Sequence, residues 1–392
     1  MSALLARGIA AVAICTLASL PTAFATTVTN LHNFTGAGDG GNPAGTQVLM
    51  NGALYGTTET GGASGFGTIY RVSPANGTLR TLYSFANNDG HAPLGGLVEK
   101  NGLIYGITNT GGTYNLGTVF SFSPTTGLLN TLYSFQANDN GNNDGAYPTG
   151  SIVLNAGVIY GTTSYGGQNN LGTVFAVATS GGYDNILHNF AYSDDDGGNP
   201  LGGVSYEGGT LYGTTSTGGA WDVGTIFSIN LAAGNNFVTL RVFTGGNGNG
   251  IAVDGAAPQS APLFVHGALY GTTSAGGANG NGTIYKMSLA TGFVTKITSF
   301  SFYTNGSTPI GPVVGKNGLI YGTTSAGGAN QGGTVFVYSP TAGTITDGFD
   351  FNYASGYGPQ SGLVIADGNL FGATAAGGAN YPYFGTLIEV TP

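Results

Sequence analysis

Carboxylates that recur in one short motif, Asp-Gly-x-x-Pro, are the first residues in this chain whose type and spacing could do chemistry. The motif begins at Asp39, Asp89, Asp144, Asp196 and Asp254. A ring of such carboxylates could bind a cation or sugar hydroxyls, and pairs of them could cleave a polysaccharide as general acid and base. The competing interpretation is local, because Asp-Gly begins a turn and the proline ends it. The motif favours the turn.

Aromatic residues that interrupt the recurring pattern are stronger binding candidates, because packing does not demand them. Trp221 and Asp222 stand in a loop where other copies have small residues, and Tyr114 and Tyr165 do the same in two earlier copies. An exposed ring among Asn, Ser and Asp stacks on a pyranose face while its polar neighbours take the hydroxyls. Alternatively, the rings cover the base of the loop. Both interpretations stay open.

One segment resembles the start of a calcium-binding loop. Asn140, Asn142 and Asp144 have the required spacing, followed by glycine, but the distal acid of that motif is missing. We expect no cofactor, with calcium at these three residues as the one candidate. His91 lies in a loop beside Asp89 and is the histidine that the repeat explains least. It therefore joins the candidate ligand-binding residues.

Several familiar chemistries have no support. The sequence contains neither a Gly-x-Ser-x-Gly nucleophile motif nor a His-Glu-x-x-His zinc motif. The single cysteine, Cys15, lies in the predicted leader, so the mature chain has no thiolate or disulfide. Without Arg7 of that leader, 7 basic residues face 17 acidic ones, a net charge of 7 − 17 = −10. Nucleic acid and anionic membranes are therefore not expected as partners.

The elements that must position the candidate residues form a tandem repeat. The phrase Leu-Tyr-Gly-Thr-Thr-x-x-Gly-Gly recurs at steps of 50, 55, 52, 58, 51 and 50 residues, with its aromatic at Tyr55, Tyr105, Tyr160, Tyr212, Tyr270, Tyr321 and Phe371. Each copy reads as four short strands, the first two joined by a turn such as Asn101-Gly102. Repeats of this length and content are typical of β-propeller blades.

Counting the strands predicts how the ring closes. A fourth strand ending in phenylalanine follows six of the seven copies, but the last copy stops after its third strand, near Val390. The missing strand is found at the other end of the chain, in residues 27–34. We therefore expect an all-β, seven-bladed β-propeller of four-stranded blades, with the last blade completed by the N-terminal strand, which leaves no open sheet edge.

Two kinds of loop should share one face of this propeller. The connecting loop leads from strand four into the next blade and carries the Asp-Gly-x-x-Pro motif. The glycine-pair loop follows strand two and carries Trp221, Tyr114 and Tyr165. In a four-stranded antiparallel blade both loops open on the same side. The candidate acids and aromatics are therefore expected on one surface.

The first 25 residues are predicted to be a signal peptide. Arg7 precedes the apolar stretch 8–20, and Ala23-Phe24-Ala25 is a small-x-small cleavage site. We therefore divide the chain into a signal peptide, 1–25, and a single propeller domain, 26–392. The apolar stretch is too short to span a bilayer, and membrane insertion is not expected. The mature protein is expected to be secreted, in the periplasm or outside the cell.

The full motif, Gly-x-Leu-Tyr-Gly-Thr-Thr-x-x-Gly-Gly-x-x-x-x-Gly-Thr-[Ile/Val]-[Phe/Tyr], resembles the GloVer tandem repeat of exported bacterial proteins, the choice-of-anchor group. The resemblance covers essentially all of the mature chain and implies export. Members often end in an anchoring tail, and this chain departs from that pattern after Val390. A looser likeness to kelch repeats concerns the fold alone. The resemblance carries no activity that could be transferred.

Two classes of function follow from these observations. The preferred one is an exported, non-catalytic recognition or surface-interaction module that binds an extracellular glycan or a cell-surface component on the loop-bearing face. The alternative is a secreted polysaccharide hydrolase or lyase that uses paired carboxylates of that face, assisted by His91 or Asp222. New reducing ends or unsaturated products from a polysaccharide panel would distinguish the second class from the first.

Overall fold

A computed structural model describes residues 26–136, 144–182, 184–244, 254–311, 314–379 and 383–392. In these ranges the chain folds into seven antiparallel sheets, which follow one another as the blades of a propeller. The helical structure described is one short 3-10 turn, Leu231–Ala233. No helix in the described ranges is long and apolar enough to cross a membrane. The predicted all-β, seven-bladed fold is confirmed.

The first five blades each place their four strands side by side in chain order. Blade 1 contains Gly41–Met50, Ala53–Thr60, Thr68–Val72 and Leu79–Ser84. Blade 2 contains Val98–Lys100, Leu103–Thr108, Thr118–Phe122 and Leu129–Ser134. Blade 3 contains Gly145–Asn155, Val158–Gly166, Thr173–Ala178 and Asp184–Asn189. Blade 4 contains Val204–Glu207, Thr210–Thr215, Thr225–Asn230 and Asn236–Val242, with a short extra pair at Gly197–Gly198 and Thr217–Gly218. Blade 5 contains Leu263–Val265, Ala268–Thr273, Thr283–Ser288 and Val294–Ser299.

The last two blades have a first strand in two pieces. In blade 6 the pieces are Ser307–Pro309 and Val314–Lys316, followed by Leu319–Ala326, Thr334–Ser339 and Thr344–Asp350. In blade 7 they are Tyr357–Pro359 and Val364–Ala366, followed by Asn369–Ala376 and Thr386–Thr391, and the outer strand is the N-terminal Thr27–Asn33.

The tight turns between strands one and two follow the sequence signals closely. Asn51, Asn101 and Asn317 have φ of +50°, +55° and +51°. Asparagine tolerates this left-handed conformation, and the glycine that follows adopts it without steric cost, so Asn-Gly matches a tight hairpin. These turns fix the register of the paired strands, which places the repeated aromatic and threonine residues at equivalent positions in every blade.

The paired threonines of the repeat have two different roles. In all seven blades the second threonine bonds the threonine that opens strand three, as in Thr58 and Thr68, whose hydroxyl oxygens are 2.8 Å apart. The second threonine therefore pairs within its own blade. The first threonine points to the other side of the pleat, so that Thr57 donates to the carbonyl of Pro93 in the next blade at 2.9 Å. It therefore links neighbouring blades.

Aromatic pairs hold neighbouring blades together. The phenylalanine that ends strand four packs against the third-strand aromatic of the next blade, as in Phe85 against Phe120, whose ring centroids are 5.4 Å apart. Equivalent contacts join Phe135 to Phe175 and Phe243 to Tyr285. These rings are fully buried, and their tilted, edge-on geometry is favourable for aromatic pairs.

The ring closes through the N-terminal strand, as predicted. Thr27–Asn33 pairs with Thr386–Thr391 in antiparallel register, from Thr27 opposite Thr391 to Asn33 opposite Thr386. Phe34 then packs against Tyr70 of blade 1 with 5.4 Å between ring centroids. The closing blade therefore makes the same contact with its neighbour that the other blades make.

The axis of the propeller is narrow. Its cavity has a volume of about 270 Å³, lined by the residue after each motif proline: Ala44, Leu94, Thr149, Leu201, Gln259, Ile310 and Gln360. The innermost strands press against one another through glycine. A Cβ on Gly203, at φ +75°, would lie 2.0 Å from the carbonyl oxygen of Ser151 in the blade before it. The blades therefore approach one another closely around the axis, and the remaining space is lined mostly by Leu, Ile, Thr and Gln side chains.

Candidate functional site

The five repeated carboxylates close their own connecting loops. Asp89 accepts hydrogen bonds from the backbone N–H of Ala86 at 3.0 Å and from the hydroxyl of Tyr83 at 2.7 Å. Burial, and then this bond to Asp89, raise the pKa of the Tyr83 hydroxyl. Asp144 accepts in the same way from the N–H of Gln136 and the hydroxyl of Tyr133. Each carboxylate thus links the end of strand four to the start of the next blade.

The remaining copies show that this link is a property of the repeat. Asp39 and Asp196 each lie 3.1 Å from a histidine ring nitrogen, of His32 and His188 respectively. Asp254 pairs with Arg241 at 2.7 Å. In all five cases the donor stands two residues before the strand-four phenylalanine.

The connecting loops into blades 6 and 7 have no aspartate at this position, and they also lack the Tyr, His or Arg donor. Asn305 and Ser355 accept the equivalent loop N–H at 2.7 and 3.0 Å. The residues two positions before their phenylalanines are Thr298 and Phe349 instead of Tyr, His or Arg. The acid and its donor therefore occur together, which is what a structural pair requires and what the turn interpretation anticipated.

His91 is also engaged by its own loop. Its backbone pairs with Thr110 through N–H to carbonyl bonds of 2.8 and 3.1 Å, and its ring meets the edge of Phe66 at 4.9 Å. These contacts join the connecting loop to the adjacent glycine-pair loop. The environment of His91 is thus accounted for by packing between the two loops.

The loop face consists of the connecting loops, such as 86–92, and the glycine-pair loops, such as 109–117, and the two kinds touch throughout the ring. Gly112 donates its N–H to the carbonyl of Asn87 at 2.8 Å, and Gly219 donates to that of Asp196 at 2.6 Å. The two loop types therefore open on the same side, as expected. The opposite hairpin face holds the turns between strands one and two and between strands three and four, such as 101–102 and 123–128.

Trp221 is the residue of the loop face whose presence packing explains least. Its side chain is 60% exposed, so it does not cover the base of its loop. Blades 3 and 5 have Asn169 and Asn279 at the same position, and each donates to the carbonyl of the strand-four phenylalanine at 3.0 and 2.9 Å. Tryptophan cannot replace that amide. The substitution thus exchanges a structural anchor for an exposed ring.

Asp222 combines a structural and an exposed role. Its backbone has φ +54°, and its carboxylate accepts the N–H of Gly218 at 2.9 Å, as Asn170 does for Gly166 in blade 3. The Asp222 carboxylate, an acceptor close to the Tyr192 hydroxyl, also raises the pKa of that hydroxyl. The half-exposed Tyr192 reaches it from the neighbouring connecting loop. An aromatic and polar cluster is thereby formed by Trp221, Asp222 and Tyr192.

The two predicted tyrosines extend this surface to neighbouring blades. Tyr114 in blade 2 and Tyr165 in blade 3 are 49% and 46% exposed. Tyr165 meets Tyr147 edge-on, with 5.9 Å between ring centroids. Three successive blades, 2, 3 and 4, therefore each present one exposed ring on this face. Tyr114 and Trp221 lie in the glycine-pair loop, whereas Tyr165, which was expected there, pairs with Ala146 at the end of strand two.

Other aromatics of the loop face were missed by sequence reasoning. Tyr353 stacks on Tyr357 at 4.8 Å and lies 5.9 Å from Tyr383, all in the loops around blade 7. A positional signal could have found Tyr353 and Tyr192, since both stand two residues after the strand-four phenylalanine, where blades 1 and 2 have Gly36 and Asn87. The repeat thus marks them as departures in the same way as Trp221.

The calcium candidates are only partly described. Asn140 and Asn142 lie outside the described residues. Asp144 is buried, and its carboxylate accepts three hydrogen bonds, from Tyr133, Gln136 and Gly145. Within the described ranges no group of three or more His, Cys, Asp or Glu residues is arranged to hold a metal.

Solved structures with the same fold include enzymes. Oligogalacturonate lyase in complex with manganese matches with a TM-score of 0.57 and 12% identity, over 94% of this chain and 96% of the lyase. A Mycobacterium tuberculosis puromycin-hydrolyzing peptidase matches with a TM-score of 0.54 and 11% identity, over 90% of this chain and 52% of the peptidase. This chain thus spans about half the length of that peptidase. At such identities the likeness shows the fold alone.

Sequence comparison adds the family. No curated protein matches this chain. The Gloeobacter/Verrucomicrobia repeat matches it three times, over residues 16–144, 137–253 and 249–392. These matches extend over nearly the whole chain and include every blade. The chain therefore belongs to the Gloeobacter/Verrucomicrobia repeat family, which the Leu-Tyr-Gly-Thr-Thr motif had indicated.

Proposed function

We propose that this protein is an exported, non-catalytic module that binds glycans on its loop face, centred on Trp221, Asp222 and Tyr192. The observation that carries the proposal is the exposed Trp221 at a position where sibling blades use an anchoring asparagine. Selection for folding alone favours the asparagine, because it satisfies a buried carbonyl. The exposed ring therefore has to be explained by something outside the fold.

A saccharide fits the chemistry of this cluster. The indole offers a flat apolar face for a pyranose ring, while the neighbouring Asp222 carboxylate and Tyr192 hydroxyl offer an acceptor and a donor for sugar hydroxyls. Tyr114 and Tyr165 on the next two blades offer further stacking positions. A surface of this kind suits an extended chain of neutral sugars.

The hydrolase or lyase alternative depends on free carboxylates. Asp89, Asp144, Asp196 and Asp254 each already bind a loop N–H and a side-chain donor, and His91 is packed between two loops. A general acid or base must reach the substrate, and these bonds direct the carboxylates into their own loops. The likeness to a lyase at 12% identity concerns the fold and adds no catalytic residue.

Fluorescence tests the proposal directly, because Trp221 is the single tryptophan. Titration with neutral oligosaccharides should shift or quench its emission in a saturable manner. By calorimetry, Trp221→Ala should weaken binding by about 1–3 kcal/mol, the value of burying one large apolar side chain. The melting temperature should change little, because the ring is mostly exposed in the unbound protein.

Phe293→Ala is the matched control, since Phe293 is a 75% exposed ring in a strand-three to strand-four turn on the hairpin face. It should leave saccharide affinity unchanged. If no saccharide perturbs Trp221, or if Phe293→Ala weakens binding equally, the loop face is not the binding surface. New reducing ends or unsaturated products during the same incubations would show that the protein is an enzyme and not a non-catalytic binding module.

A further inference from the structure

A second cavity lies between blades 5 and 6 on the hairpin face, away from the proposed glycan surface. Its volume is about 640 Å³, within the range of small-molecule sites. One wall is the first strand of blade 5, Leu263–Val265, with Tyr270 and Lys286 beside it. The other wall is the hairpin of blade 6, from Val314 to Ile320.

The cavity is larger because blade 6 lacks one side chain. Gly315 pairs with Ile320, and the residues that make the equivalent pairing in the other blades are Leu49, Glu99, Leu154, Tyr206, Phe264 and Ile365. A Cβ built on Gly315 would point at blade 5, with Leu263 and Val265 at 3.8 and 4.0 Å. Those are ordinary van der Waals distances. A side chain would therefore fit here, and its absence opens the space.

The charge of the cavity is opposite to that of the protein. Lys286 lies 5.6 Å from the centroid of the Tyr270 ring, Lys316 lines the blade 6 wall, and the exposed His266 stands at the rim. No Asp or Glu is among the lining residues. Lys286 takes part in none of the ion pairs found in the described ranges, and Lys316 donates to the carbonyl of Gly368. In a chain of net charge −9 this is a local concentration of positive charge.

We propose that this cavity is a binding site for a small organic anion with an apolar body, an aromatic or branched carboxylate or sulfonate. The body packs against Leu263, Val265 and Leu319, in the space that Gly315 leaves open. The acid group meets the ammonium of Lys286, which is unpaired with any described carboxylate.

Anilinonaphthalene sulfonate is a suitable probe, because it joins an aromatic body to one anionic group and fluoresces on entering an apolar site. Phenylnaphthylamine has the same body without the charge. The sulfonate should bind the folded protein saturably, with one molecule per chain, and at least tenfold more tightly than the uncharged amine. Lys286→Met should weaken sulfonate binding about tenfold and leave the amine unaffected.

Gly315→Ile narrows the cavity with the side chain that blade 7 carries as Ile365, and should weaken binding of both probes at least tenfold without lowering the melting temperature. Arg71→Met is the matched control, because Arg71 stands at the position of Lys286 in blade 1, and it should have no effect. Sulfonate binding that Gly315→Ile does not weaken, or that Arg71→Met reduces as much as Lys286→Met, would overturn the site. Failure of the sulfonate to bind, or equal affinity for the uncharged amine, would overturn the assignment of an anion.

Discussion

Because the N-terminal strand closes the ring, we expect Phe34 and Phe243 to contribute equally to the free energy of unfolding. Phe34 ends the N-terminal strand, is 1% exposed, and contacts Tyr70 at 5.4 Å. Phe243 ends strand four of blade 4, is fully buried, and contacts Tyr285 at the same distance. Both backbones donate to the equivalent glycine carbonyl, Phe34 to that of Gly385 at 3.0 Å. The two sites differ in one respect, which is that Phe34 lies on a strand near a chain end.

Replacing either ring by alanine removes a fully buried aromatic side chain, which costs about 3–5 kcal/mol. For a domain of this size the entropy of unfolding is roughly 0.8 kcal/mol per degree, from about 2 cal/mol/K per residue. A loss of about 4 kcal/mol therefore lowers the melting temperature by about 5 °C. If the N-terminal strand is a full member of blade 7, Phe34→Ala and Phe243→Ala should give the same decrease.

Urea titration and calorimetry measure both variants against the wild type. An effect of Phe34→Ala below about 1 kcal/mol, beside a full effect of Phe243→Ala, would show that the N-terminal strand is only loosely held. The inference that the ring is closed by shared strands would then be wrong. Deleting residues 26–34 should be worse than either substitution, because it exposes the edge of Thr386–Thr391 and leads to association.

Three further changes test other parts of the structure. Asp196→Ala removes the acceptor that closes its connecting loop and should lower the free energy of unfolding by about 1–3 kcal/mol, with a smaller loss for Asp196→Asn, as measured in urea. Burial, and then the neighbouring Asp350, raise the pKa of Asp347 to about 7. The folded chain therefore keeps a proton that the unfolded chain releases near pH 4. Stability thus falls as the pH rises from about 4 through 7. The stability of Asp347→Asn relative to the wild type should therefore increase between pH 4 and pH 8. The increase in the free energy of unfolding should be on the order of 1 kcal/mol, because this carboxyl is partly exposed. A difference in stability that does not change with pH would contradict the assignment. If segment 140–144 binds calcium, millimolar calcium should raise the melting temperature relative to a chelator, and equal melting would remove calcium from that loop.

The architecture could be predicted because its signals are local and repeated. Asn101-Gly102 specifies a tight turn from two residues alone, and seven copies of such a turn average out any single ambiguity. The closing strand followed from counting phenylalanines, since Phe34 has no preceding strands of its own. Neither inference needed knowledge of a distant contact.

The site residues were harder, because their roles depend on contacts between segments. The sequence motif favours a turn at Asp89 but leaves a ligand role open until Tyr83 is found within hydrogen-bond distance. Tyr192 lies 30 residues from Asp222 in sequence, so the proximity of the two side chains could not be read from spacing. The consequence of Gly315 required the position of the adjacent blade. For Tyr192 and Gly315 the repeat contained a clue, a departure at one position, whose role became clear only from contacts between segments.

The pairing of Thr27–Asn33 with Thr386–Thr391 also imposes an order on folding. Of the strands described, Thr27–Asn33 is synthesised first and its partner Thr386–Thr391 last, and Thr27 and Thr391 are 364 positions apart in sequence. Bringing the ends of so long a flexible chain together costs about 5 kcal/mol of entropy, which blades formed earlier reduce by shortening the free segments. Until closure, the edge at Thr386–Thr391 accepts any N-terminal strand of this sequence, including that of another molecule. Refolding at high concentration should therefore yield strand-exchanged dimers, whereas refolding at high dilution yields closed monomers.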